Sequence, residues 1–507
     1  MWKEFLNWAG RQLMRIADNN QNLGDKSYLE ARIVHWMNSP ERRLQILGEQ
    51  YYRGEHDIRK KKRQMIGSDG KMTEIPYLPN NIIIDNQYAK FVDQKKNYVL
   101  GQPISIGCKD EKYAEELKKV FNKKFHRSLK ETGENAMNGG KSWMCPYIRD
   151  GKMYFRCFPA YEILPFWNDA AHTELEMAVR LYLVEKPNAR TEYDVIQKVE
   201  IYKKTGIEYY TFENNRLYPD PDKPRAPYLT VTSAAGSEEM DWKGRIPLVC
   251  FKLNGKEIPL IKRVKSIQDA INMLVSSGID KNEEDPRNTV LILENYDGEK
   301  LNEFRRQLLE LGVIKVRSVE GARGDVRALT IEVDPKNFET LLYTLRKALK
   351  DNIKGYDFSE LNNAASDPNQ MNIKSILSDV DIDANDMETE FQAAFEELLW
   401  FINIHLGKSE DDIENVEIIF NRDGIINEIE VMQMLVAAGL RLPNEILLRQ
   451  VPFVDDVEEA KELLKEEEKE MMDAYSGMMP QQGTPAGNAM PKPKVNEPGG
   501  KPYGAVK

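Results

Sequence analysis

The feature that most restricts the fold is a change of hydrophobic period between two helices. Residues 261–280 place Val264, Ile267, Ile271, Leu274 and Val275 on one stripe until NEEDP breaks it. A compact alternation follows: strand NTVLILENY, helix EKLNEFRRQLLEL, strand VIKVRSV, turn GARGD and strand VRALTIEV. This is a small α/β module of roughly fifty residues inserted between helices. Asp334-Pro335 then supplies an N-cap and a proline at the first helical position. The next helix carries Phe338, Leu342, Leu345, Leu349 and Ile353 on one face and ends at Gly355. Polar, turn-rich GYDFSELNNAASDP leads from there to another long helix, with Ile373, Ile376, Leu377, Phe391, Phe395, Leu398, Leu399 and Ile402.

Residues 27–100 read as helical, from the Ser39-Pro40-Glu41 start to a stripe of Ile84, Tyr88, Phe91, Val92, Lys95 and Val99 that ends at Gly101-Gln102-Pro103. The pattern changes at Gly139-Gly140. From there to Phe251, short aromatic and β-branched segments are separated by Asp150-Gly151, Pro159, Pro187-Asn188 and Asn214-Asn215, which predicts an antiparallel β region. After strand-like VEIIFN, residues 427–473 read as helices, and the tail from Ser476 to Lys507, with six Pro and six Gly in 32 residues, reads as disordered. The fold class is therefore α+β, predominantly helical, and 507 residues suggest about three domains.

Nothing near 18 consecutive apolar residues occurs, which argues against a transmembrane helix. The N-terminus spaces Trp2, Phe5, Leu6, Leu13 and Ile16 like a docking helix rather than a signal peptide. Cys108, Cys145, Cys157 and Cys250 form no metal or disulfide pattern, and five scattered histidines add none, so a reducing cytoplasm fits and no cofactor is expected. With 82 acidic against 71 basic residues the net charge is −11, which weighs against a protein that must grip DNA.

Several local motifs have bland alternatives. Gly140-Lys141-Ser142 ends like a phosphate-binding loop, but Asn135 stands where a loop glycine is needed and a strand follows instead of a helix. Asp379, Asp381, Asp383 and Glu390 have calcium-loop spacing, yet Ala384 replaces the required glycine; an acidic, solvated stretch of a long helix is the favoured reading. RKKKR at 59–63 reads as a solvated helix face, and Arg323-Gly324-Asp325 as turn chemistry. No catalytic residues emerge.

Several segments together resemble the portal proteins of tailed double-stranded DNA bacteriophages, the siphophage-type branch. They are YYRGEHDIRKKK, LPNNIIIDNQYAKFVDQKKNYVLGQPISI, GKSWMCPYIRDGKMYFRCFPAYEILPFWND, IPLVCFKLN and NEILLRQVPFVDDVEEAKELLKEE, in that order across roughly residues 50–470. The resemblance implies a ring, usually of twelve copies, at one capsid vertex around a DNA tunnel. It implies wing at 1–260, stem helices at 261–281 and 335–354, clip at 282–334, tunnel loop at 355–368, long helix and return to the wing at 369–426, crown at 427–475, and a tail at 476–507. One departure stands out. Many relatives open the helix after the loop with a Ser-Gly-x-Ala-Leu-like element, whereas this chain reads Ser366-Asp367-Pro368-Asn369-Gln370-Met371.

On that resemblance the chain is a non-enzymatic conduit, assembled in the host cytoplasm and resident in the virion, with no membrane partner. Asn362, Asn363, Ser366 and Asn369 would give the loop a polar, uncharged contact with the duplex, and Lys347, Lys350 and Lys354 would touch phosphates. Expected partners are its own copies, DNA, terminase, major capsid or scaffolding protein, and head-completion or adaptor proteins. Two other readings remain open: a nucleotide-dependent nucleic-acid enzyme using Lys141, and a minor capsid or scaffold protein without a tunnel. Glu299, Glu303, Arg305, Arg306 and Glu310 form the candidate partner surface of the clip helix. Charge reversal at Arg305 and Arg306 should weaken terminase binding in a pull-down; unchanged binding would place the docking surface elsewhere.

Overall fold

In the computed structural model, short polar side chains set the helix starts of the N-terminal part. It describes residues 24–66, 71–74, 79–187, 193–233, 236–284, 290–294, 325–329, 335–357, 370–409, 416–422, 460–461, 463–466 and 469. The chain divides into units 1–426 and 427–507; in the second, the described residues are helical. No helix among the described residues is long and apolar enough to cross a membrane.

Asp25 caps α1 (Lys26–Met37). Ser39 caps α2 (Pro40–Tyr52), with Pro40 at its start. Asn86 caps α3 (Gln87–Leu100), Asp110 caps α4 (Glu111–Val120) and Asn122 caps α5 (Lys123–Gly139). The change of period at residue 140 has a steric cause. Gly140 ends α5 at φ 81°, and a Cβ there would lie 2.2 Å from the Glu257 carbonyl oxygen, so only glycine fits.

The β region follows as expected. β4 (Lys141–Arg149) and β5 (Lys152–Pro159) form a hairpin whose turn, Asp150-Gly151, has φ 53° and 70°, the left-handed pair that a two-residue turn requires. β14 (Val249–Lys252) adds to β4. A second antiparallel sheet runs β6 (Ile163–Trp167), β7 (Leu175–Pro187), β8 (Tyr193–Lys203), β9 (Gly206–Glu213) and β10 (Arg216–Pro219), with β11 (Arg225–Ala226) alongside β9. Helix α1 covers one face of this sheet, burying Leu29, Ile33 and Trp36 against Val179, Leu181, Val199 and Phe212. Trp143, Phe158, Ala178 and Tyr202 fill the other side. β12 (Leu229–Ser233) pairs with β13 (Gly236–Met240), and β3 (Ser105–Cys108) pairs with the distant β17 (Val416–Ile419).

Residues 27–100 are not helical throughout. After Arg53 come a left-handed Gly54, a short 3-10 turn at Asp57–Lys60, β1 (Gln64–Ile66) paired antiparallel with β2 (Met72–Glu74), and residues 79–86 without regular secondary structure. Pro76 and Pro79 bar helix in this stretch. The basic run 59–63 accordingly lies on no regular helix face. Lys61 is buried against Asp280 at 2.5 Å, with Arg63 3.6 Å from the same carboxylate.

Helices α6 (Ile261–Glu284), α7 (Pro335–Ile353) and α8 (Gln370–Leu406) form the rest of the main core with α3 and α5. Phe251 meets Phe391 and Phe395 edge-on at 5.0 and 5.7 Å within it. α6 and α7 run antiparallel: Gly278, near the end of α6, abuts the ring of Phe338 at the start of α7, whereas Arg263 and Lys354 meet one carboxylate at the opposite end. Twenty-four residues make α6 about 36 Å long. The segment holding paired strands β15 (Val290–Glu294) and β16 (Asp325–Leu329) therefore leaves one end of this pair, and the segment after Asp357 leaves the other.

The opposite side of α6 carries Gln268, Asn272, Ser276 and Asp280, four residues apart and fully buried. Their oxygens accept the backbone N–H groups of Tyr88, Asp85, Ile83 and Asn81 at 3.0, 3.0, 3.0 and 2.6 Å. From Asn81 through Ile83 to Asp85, two residues of the facing chain match each four-residue step of α6, about 6.6 Å if extended against about 6.0 Å of helix, and Tyr88 in the first turn of α3 takes the last acceptor. The side chains of one helix thus serve extended backbone as a neighbouring strand would. Asn272→Ala strands the Asp85 N–H and should cost about 1–3 kcal/mol in denaturant unfolding. Met273→Ala, at an exposed neighbour, should stay within about 0.5 kcal/mol. Equal effects would remove the ladder's role.

Candidate functional site

The four elements that meet where α7 ends do so around one carboxylate. Asp383 of α8 accepts from Lys95 Nζ of α3 at 2.9 Å and from Arg263 Nη1 of α6 at 2.7 Å. Its other oxygen lies 2.7 Å from Lys354 Nζ, just past α7. The Asp383 and Lys95 side chains are only 11% and 5% exposed, so these charges interact with little water between them. Burial alone would raise the Asp383 pKa, but Lys95, Lys354 and Arg263 together hold it down at about 2. Burial and the neighbouring cations lower that of Lys95, with Asp383 opposing.

The same end of α3 fixes the backbone that follows α7. Lys354 takes a left-handed φ of 53°, and the Gly355 N–H donates back to the Lys350 carbonyl at 2.9 Å. A Cβ on Gly355 would lie 2.3 Å from the Phe91 ring. Gln94 then holds both polar groups of Tyr356: its Nε2 donates to the carbonyl at 2.8 Å and its Oε1 accepts the N–H at 3.1 Å. The Tyr98 ring meets the Tyr356 ring edge-on at 6.3 Å. Phe91, Gln94, Lys95 and Tyr98 follow helical i, i+3, i+4, i+7 spacing, so one face of α3 provides the anchor. Arg422, beyond β17, extends the network to Asp381 at 2.7 Å and Glu388 at 2.8 Å, while the Tyr98 hydroxyl donates to Asp381 at 2.6 Å.

The acidic stretch 379–390 is helical, inside α8; Asp379 and Asp386 are exposed as a solvated face requires, whereas Asp381 and Asp383 turn inward to cations. Asp381 and Asp383 lie two positions apart, about 200° around the helix, and turn to different cations. Among the described residues, no group of three or more His, Cys, Asp or Glu side chains converges on a metal site. Lys347 is exposed, Lys350 is partly buried with Asp351 at 3.9 Å, and the Lys354 ammonium is committed to Asp383. Asn362, Asn363, Ser366 and Asn369 lie outside the described residues, as do Glu299, Glu303, Arg305, Arg306 and Glu310.

Lys141 opens a strand and is 3% exposed, with its ammonium 2.5 Å from Glu257 and 3.5 Å from Glu41. Burial would raise the Glu257 pKa, but the His172 and Lys141 contacts hold it well below the usual carboxylate range. The helix start beside this lysine contributes Glu41, an anion that would repel a phosphate, and the lysine's charge is already balanced. The four cysteines are unbridged, and burial pushes the Cys145 and Cys250 thiols up to about 12, which removes them as thiolate nucleophiles at neutral pH.

Sequence comparison bears on what this arrangement serves. The family described as "Phage portal protein, SPP1 Gp6-like" matches residues 41–473. The portal protein of Bacillus phage SPP1 is 27% identical over 452 residues, covering 86% of each chain. The portal protein of Clostridium phage phiCD119 is 26% identical over 444 residues, covering 84% of this chain and 93% of that one. A solved structure of the neck of a native gene transfer agent particle, with C12 symmetry, covers 72% of this chain and 89% of its own at 12% identity and a TM-score of 0.38, too loose a likeness to add weight.

Removing the charge at residue 383 tests the junction. Asp383→Asn leaves buried Lys95 without its anion and should cost about 3–5 kcal/mol at neutral pH. A carboxyl depressed from 3.8 to about 2 on folding contributes about 2 kcal/mol above pH 4, lost as pH falls toward 2. The variant should lack that part of the acid destabilisation in denaturant titrations at each pH. Equal acid sensitivity in both proteins would count against the assignment.

Proposed function

The chain belongs to the SPP1 Gp6-like family of phage portal proteins, and from that membership we infer that it forms a ring at one capsid vertex through which double-stranded DNA enters and leaves. The observation that carries the physical side of this reading is the anchored root at Lys354–Asp357. A loop that meets moving DNA is useful only if its ends hold still. Here the backbone entering 358–369 is clamped to α3 and, through Asp383, to α6 and α8.

In this assignment α6 and α7 are the stem, residues 282–334 the clip, 355–368 the tunnel loop, 1–260 the wing with 369–426 returning to it, and 427–475 the crown. The antiparallel stem pair supports it by sending the clip and loop segments from opposite ends. Terminase and the head-completion proteins would dock at the clip, about one stem length from the loop. The loop's asparagines and serine would contact phosphates without fixed charge, which favours sliding over gripping. Buried, paired Lys141 supports a passive conduit, with ATP hydrolysis supplied by the separate terminase.

Deleting residues 358–366 should abolish DNA packaging in an infection or in vitro packaging assay while leaving ring assembly intact. Packaging at the normal level by the deleted protein would overturn the loop assignment.

A further inference from the structure

A second basic surface lies away from the stem. Residues 118–130, KKVFNKKFHRSLK, contain six Lys or Arg and no Asp or Glu, in a chain of net charge −11. Lys119, Lys123, Lys124 and Arg127 are exposed, and Lys123, Arg127 and Lys130 share a face of α5 by their i, i+4, i+7 spacing. They crowd the α5 N-terminus, where the Asn122 side chain caps the first N–H groups and the helix dipole adds positive potential.

The β4–β5 hairpin extends this surface from another part of the sequence. Phe125 packs edge-on against Phe155 at 4.8 Å, and Lys124 sits 5.8 Å over the Tyr154 ring. Tyr154 stacks on Tyr147 at 5.7 Å, and Arg156 lies 5.1 Å over that second ring. Exposed Lys152 and Arg156 continue the positive field, and Asp150 is the sole acid between residues 147 and 156.

The composition separates two kinds of partner. Cores of protein interfaces are depleted in Lys and built on apolar anchors. No strongly exposed large apolar side chain lies between residues 109 and 160. Exposed lysines without such an anchor suit a regularly charged backbone whose counterions they displace.

We propose that the α5 N-terminus and the β4–β5 hairpin together bind the phosphate backbone of double-stranded DNA, without sequence preference, at a contact separate from residues 355–368. The binding chemistry stands without the portal reading; only its use during packaging or storage of the genome rests on that reading.

The test measures anisotropy of a labelled duplex of arbitrary sequence with the purified full chain over a series of salt concentrations. A variant carrying Lys119→Gln, Lys123→Gln, Lys124→Gln and Arg127→Gln should bind about tenfold or more weakly at low salt, with a slope of log affinity against log salt shallower by about 0.9 for each phosphate no longer neutralised. Replacing the three lysines by arginine should preserve affinity and slope. Deleting 358–366 should leave this binding in place. Equal affinity and slope for the Gln variant and the parent would overturn the proposal. Loss of binding in the loop deletion but not in the Gln variant would sink it while sparing the conduit reading. Competition by polyglutamate as effective, per charge, as unlabelled duplex would assign the surface to an acidic protein segment instead.

Discussion

Cations from three other parts of the chain share the charge of Asp383: Lys95, Arg263 and Lys354 all lie within 2.9 Å of its oxygens. Such a cluster is a poor way to gain stability, because three cations and one anion must leave water. Its value is positional. An apolar contact tolerates sliding, whereas a carboxylate with cations on both oxygens sets where α3, α6, α8 and the end of α7 lie relative to one another. Lys354, rather than serving as a free cation for DNA, is spent on this task.

The junction is also continuous with the ladder along α6. Gln268, Asn272, Ser276 and Asp280 fix residues 81–88, and the chain passes directly from there into α3. Three turns of α3 then present Phe91, Gln94, Lys95 and Tyr98 to the segment that follows α7. A shift of α6 along its axis would therefore break backbone hydrogen bonds before it reached the root of residues 358–369. In a portal, that coupling would transmit force between the stem and the loop while keeping the loop's starting point fixed.

The sequence is informative where a signal is local. The α6, α7 and α8 stripes follow from apolar spacing, the β4–β5 turn from Asp150-Gly151, and the helix-to-strand change from Gly140. The ladder was not legible because Gln268, Asn272, Ser276 and Asp280, read alone, make an ordinary polar helix face. One clue was available: short, mostly uncharged hydrogen-bonding side chains repeat every four residues where Lys and Glu are the usual solvent-facing choice. Lys61 and Asp383 were misleading for the same reason. Each sits in a charged run that reads as solvated, and burial depends on partners outside that run, among them Asp280 for Lys61 and Lys95 and Arg263 for Asp383. The basic α5 segment escaped notice because its extension lies on a separate hairpin.

Net acidity is compatible with a conduit for a polyanion, provided that positive charge is local, as it is near α5, or neutralised, as at Asp383. The portal account rests most directly on an assembled geometry. The decisive measurement is a single-particle reconstruction of the purified oligomer with a side-chain trace through residues 354–370. The account expects a closed ring whose channel is narrowest where the segment between Asp357 and Gln370 projects inward, with Lys354 still on Asp383. A channel-free assembly, or a ring whose constriction lies elsewhere and whose 354–357 segment has left α3, would contradict it.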